Sequence, residues 1–118
     1  MNKKDKYVLK TIEWAKKTGY ESIKANLEGY ETPSQFQRAQ DEVTFTPDIT
    51  AVKGNKKCYF EVVMKDLEEN SGVSKLRLLS ELAKMKGGEL FVMAPTGHMR
   101  FTRDLVETRN IQATVMRI

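Results

Sequence analysis

Two carboxylates stand in stretches that are otherwise mostly apolar. Asp48 follows Pro47 near the end of an extended segment, and Glu61 lies inside the run Cys58-Tyr59-Phe60-Glu61-Val62-Val63. A carboxylate on a half-buried strand is costly unless a cation, a donor or water compensates it. Two that converge invite a hard divalent metal, which takes oxygen ligands. Softer sites are closed to this chain, because it has one histidine, His98, and one cysteine, Cys58. One thiol forms no intramolecular disulfide and no cysteine-based zinc site. Cys58, in an apolar run, reads as a buried inert thiol.

A hairpin must bring the two acids together. Residues 43–52 read as one strand, Lys53-Gly54-Asn55-Lys56 as a turn, and residues 57–64 as the second arm. Before it, residues 4–18 carry an apolar face of Tyr7, Leu9, Ile12, Trp14 and Ala15, a helix ended by Gly19. Ile23, Ala25 and Leu27 alternate with polar residues, as in a half-buried strand. Residues 29–42 are polar and broken by Gly29 and Pro33, and read as a long loop. After the hairpin, residues 65–72 read as an acidic surface loop and Ser74 as the cap of a helix to Lys86. The leucines of that helix read as core. Leu90 to Ala94 is a continuous apolar run, a strand covered on both faces. A helix over 101–109 and a strand over 111–118 complete the chain. Strand–helix–strand alternation after an antiparallel hairpin implies an α/β fold, with a mixed central sheet of four to five strands flanked by helices.

The chain of 118 residues is expected to form one domain, 1–118, with a genuine core. Hydrophobic residues make up 40% and charged residues 31%, which argues against wholesale disorder. No apolar run approaches the roughly 20 residues that span a bilayer, and no signal-peptide pattern opens the chain, so no membrane partner and a cytoplasmic location are expected. Net charge is +4, unevenly spread. Residues 1–24 hold seven lysines against three acids, and residues 41–70 hold seven acids against four lysines. A basic periphery around an acidic patch suits a protein that grips a polyanion and holds a cation beside it. Surface lysines that serve solubility explain the same count.

Pro47-Asp48-Ile49 on one arm of the hairpin and Glu61-Val62-Val63 on the other, with a helix and a strand following, resemble the restriction-endonuclease-like PD-(D/E)xK nuclease superfamily. The resemblance covers roughly residues 43–94 and arguably the whole chain. It implies a nuclease that hydrolyses DNA, with Mg2+ or Mn2+ held by Asp48, Glu61 and the backbone carbonyl of Val62. The family's motif lysine, two residues beyond the second acid, is here Val63. Its work falls to a relocated lysine. Strand alternation puts Lys65 on the same face as Glu61 one pleat further on, and Lys75 in the next helix is the other candidate. Glu13 resembles an extra acid that some members supply from the first helix, but a solvated helix face explains it better. Lys24, Lys56, Lys57, Lys75 and Arg77 are the expected nucleic-acid contacts. His98, in a turn, reads as exposed, with a phosphate contact as the minority reading. A homodimer is the expected assembly, because one short groove grips little of a duplex. The alternatives are a nuclease-like domain without chemistry that binds nucleic acid or a protein partner, and a small interaction domain with no nucleic-acid link.

Overall fold

A computed structural model describes residues 2–118. Its elements are α1 (Lys3–Lys17), β1 (Glu21–Ala25), β2 (Phe36–Gln37), β3 (Thr44–Phe45), β4 (Ile49–Lys53), β5 (Lys56–Val62), α2 (Glu69–Met85), β6 (Leu90–Ala94), α3 (Met99–Thr108) and β7 (Thr114–Arg117). Five strands form a mixed sheet in the order β1-β4-β5-β6-β7. The β1–β4 and β4–β5 pairs are antiparallel, and β5–β6 and β6–β7 are parallel. The fold is α/β, with three helices against this sheet.

Alternation along the strands sorts the core into two layers. Ile49, Ala51, Cys58, Phe60, Val62 and Met93 face Val8 and Ile12 of α1. Phe60 stacks on Phe91 with ring centroids 5.0 Å apart, and Tyr20 meets Phe60 edge-on at 5.3 Å, both favoured aromatic geometries. On the other side, Tyr59, Val63, Leu90 and Val92 meet Leu76 and Leu79 of α2 and Leu105 of α3. Glu61 falls between Tyr59 and Val63 in this second series, so its carboxylate belongs to the face that α2 covers. Gly88 lets the chain run close beside β5, since a Cβ there would lie 1.9 Å from the Lys57 carbonyl oxygen.

Several boundaries differ from the sequence reading: β5 ends at Val62 and not at 64, α3 starts at Met99, and the last strand is Thr114–Arg117 within the expected 111–118. Three departures are larger. The segment expected as one strand over 43–52 is two, β3 and β4, interrupted at Thr46-Pro47-Asp48. Proline has no N–H to give a ladder. The expected loop over 29–42 contains β2, which pairs with β3 as a small ribbon with Phe36 stacked on Phe45. Helix α2 starts at Glu69, not at Ser74. Glu68 caps it by accepting from the Ser71 N–H at 2.7 Å, so part of the expected acidic loop is helix. Among the described residues no helix is long and apolar enough to cross a membrane.

Candidate active site at the carboxyl end of the hairpin

The β4–β5 register pairs Ile49 with Phe60 and Thr50 with Tyr59. Continued one step, the same register places Asp48 opposite Glu61, and a further step places Pro47 opposite Val62. Opposed residues of an antiparallel pair project to the same face, so the register itself brings the carboxylates together. The Val63 N–H donates to Met93 and the Tyr59 N–H to Glu89, both on the β6 side. Val62 therefore faces β4, where its partner is a proline. Pro47 cannot donate to the Val62 carbonyl, and the Val62 N–H donates instead to Asp48 Oδ2 at 2.9 Å. In return the Asp48 N–H donates to Glu61 Oε1 at 2.7 Å. Each acid thus satisfies a backbone donor at the point where the ladder stops.

Both acids are nearly enclosed, Asp48 6% and Glu61 3% exposed. Two ammonium groups balance them. Lys75, on α2 beside the apolar stripe that contains Leu76, places Nζ 2.9 Å from Glu61 Oε2. Lys4, in the first turn of α1, lies 2.9 Å from Asp48 Oδ2 and 3.8 Å from Glu61 Oε2. Asn2 starts α1 here by accepting from the Asp5 N–H, which sets Lys4 against the end of the sheet. Burial first and the neighbouring Asp48 second push the Glu61 carboxyl up to about 7, against the opposing pull of Lys4 and Lys75. Burial lowers the Lys4 ammonium, but the attraction of Glu61 and Asp48 outweighs this and leaves it raised.

Hard oxygens converge, and the bridging position between them holds the ammonium of Lys4, a side chain still 39% exposed. One cation already sits where a shared ion would sit. Carboxylate oxygens are the type that Mg2+ or Mn2+ takes, but among the described residues no third His, Cys, Asp or Glu joins Asp48 and Glu61; the Val62 carbonyl, to which Pro47 cannot donate, is the remaining candidate oxygen. A cleft of about 250 Å3, lined by Lys4, Phe45, Glu61, Ser71 and Lys75 among others, opens on Glu61.

Of the two lysines expected to replace the motif lysine, Lys75 reaches the acids and Lys65 does not. β5 ends at Val62, and the Leu67 N–H bonds back to the Met64 carbonyl, so the pleat that would have carried Lys65 inward is broken by a turn. Lys65 is exposed and its N–H donates to His98 Nδ1 at 2.9 Å. Glu13 is exposed on α1. Lys56 and Lys57 lie at the opposite end of β5, and Lys24 pairs with Glu31 at 3.2 Å. Arg77 donates to the Arg109 carbonyl, away from the acids. Lys4 was not marked by the sequence, since no local pattern singles out one lysine among those of α1. Comparison with protein families, with curated proteins and with solved structures finds no match to this chain.

Proposed function

We propose that the protein is a metal-dependent nuclease that hydrolyses phosphodiester bonds in DNA, with a restriction-endonuclease-like arrangement of its elements. One observation carries this reading. Two buried carboxylates, one just before β4 and one on β5, share a bridging cation, the Lys4 ammonium, beside a cleft that Glu61 and Lys4 line. Asp48, Glu61 and the Val62 carbonyl would hold Mg2+ or Mn2+. When bound, such an ion polarises a phosphoryl oxygen and makes water a stronger nucleophile near neutral pH.

The chain's own groups supply the rest. Lys75 stays on Glu61 and presents a fixed positive charge beside the reacting phosphate, where charge develops on the oxygens. This ammonium takes the role that Val63 leaves empty in the motif. The Asp48–Val62 and Glu61–Asp48 backbone contacts hold both carboxylates at fixed angles, so little reorganisation is needed on substrate binding. Lys4 moves from the acids towards the cleft mouth.

A second reading rests on the same four charges. Two carboxylates and two ammonium groups sum to zero, and such a cluster also serves simply to finish the hairpin in a domain that binds nucleic acid or a protein partner without cutting. Nicking of supercoiled plasmid DNA separates the two. The nuclease reading expects Mg2+- or Mn2+-dependent nicking that falls at least about 100-fold in Asp48→Asn and Glu61→Gln, while Glu107→Gln, exposed on α3, keeps it. Absence of nicking in the wild-type protein under both metals sinks the reading.

A further inference from the structure

The acid cleft continues into a trough along the first turn of α1. Lys4 and Leu67 line both the cleft and an adjoining depression of about 570 Å3. That depression shares Lys3, Met64 and Asp66 with a third of about 450 Å3, which ends at His98. Each is of the size that ligand-binding clefts have. The trough lies outside the carboxyl ends of parallel strands β5 and β6, where open α/β sheets bind ligands.

Its charge is one-sided. Lys3, Lys4, Lys6 and Lys65 line the two outer depressions against a single acid, Asp66. Lys3, Lys6 and Lys65 are exposed, and among the described residues none of the three forms an ion pair. His98 is half-buried and oriented, because its Nδ1 accepts the Lys65 N–H. The proton of the neutral ring then sits on Nε2, a donor that pairs with no carboxylate among the described residues. Towards the far end of β5, Lys24 is tied to Glu31. Lys57 lies over the Tyr59 ring much as Lys6 lies over the Tyr7 ring, so the two sets differ in charge balance and not in ring contacts.

We infer that this trough holds phosphates of the DNA strand that flank the bond at Asp48 and Glu61, with Lys3, Lys6 and Lys65 as ammonium contacts and His98 as an Nε2–H donor. The assignment rests on the nuclease reading for its substrate. It replaces Lys24, Lys56 and Lys57 as the strand's main contacts. Lys4 stands where cleft and trough meet, so a lysine released from the acids has a phosphate within its reach.

The test is fluorescence anisotropy of a labelled short DNA duplex across a salt series, in EDTA so that nothing is cut. Each lost phosphate contact lowers the slope of log K against log salt by about 0.9. The triple variant Lys3→Gln, Lys6→Gln, Lys65→Gln is expected to lower it by about two to three, and the corresponding triple arginine variant to restore it. An unchanged slope in the glutamine triple, or a drop confined to Lys24→Gln, Lys56→Gln, Lys57→Gln, overturns the trough. Hydrolysis of bis(4-nitrophenyl) phosphate in Mn2+ by wild type and Asp48→Asn, measured in parallel, judges the acid site separately. A trough that binds beside an acid site without turnover would leave this inference standing and end the nuclease reading.

Discussion

The two ends of β5 handle charge in opposite ways. At its carboxyl end, Glu61 and Asp48 are buried and each acid has an ammonium within 2.9 Å. At its amino end, Lys57 leads into the hairpin turn beside cations. Burial lowers its ammonium first, and the repulsion of Lys24 and Lys86 lowers it further. Opposite charges in a dry place are strongly coupled, whereas like charges beside water are screened and cost little. One strand therefore carries a concentrated, compensated site at one end and a partly exposed cationic surface at the other. Only the first has groups held firmly enough to do chemistry.

The largest effect expected from this contrast is a pH dependence of stability. A carboxyl whose pKa rises from 4.5 in the unfolded chain to about 7 in the fold holds its proton more tightly when folded. Its contribution favours the fold at low pH and is lost as pH rises between those two values, a swing of roughly 3 kcal/mol. Urea unfolding of wild type and Glu61→Gln across that range reads it directly. The variant is expected to gain on wild type steadily as pH rises. A difference that stays flat with pH breaks the contrast, because Glu61 would then behave as a solvated acid.

A smaller effect comes from the bridging lysine. Lys4→Gln removes the ammonium that competes for the acids, and Mn2+ affinity, followed by the EPR signal of the free ion, is expected to rise about tenfold, equivalent to about 1.4 kcal/mol. Weaker binding in this variant would mean that Lys4 supports the ion instead of competing with it. The smallest effect belongs to the amino end. Lys57→Gln relieves like-charge repulsion and gives up the contact with Tyr59, so its unfolding free energy should stay within about 0.5 kcal/mol of wild type. A large loss there would show that the two ends are not so different.

The sequence carried the acid pair because strand geometry is periodic. Asp48 and Glu61 flank a turn in runs that read as strands, and pairing across the turn leaves little freedom in which residues meet. The same periodicity misplaced Lys65, since alternation was extended past Val62, where the strand has already ended. Lys75 was a candidate only through the resemblance, which implies that the motif lysine can relocate to a neighbouring element. Lys4 was not, because its contact depends on how α1 crosses the sheet, which is decided by packing of Val8 and Ile12 and not by anything near Lys4. The start of α2 was misread for a local reason. Glu68 is an uncommon cap, and Ser74 matches the usual preference better, yet Gly72 seats closely on Leu67 and the helix runs from Glu69 on through Ser74.

The central claim is that Asp48 and Glu61 share a divalent cation. Mn2+ binding by EPR to wild type and Asp48→Asn, each first checked for native near-UV circular dichroism, tests it with no substrate present. The account predicts binding in the wild-type protein that is lost in the folded variant. Equal binding in both, or none in either, would contradict it.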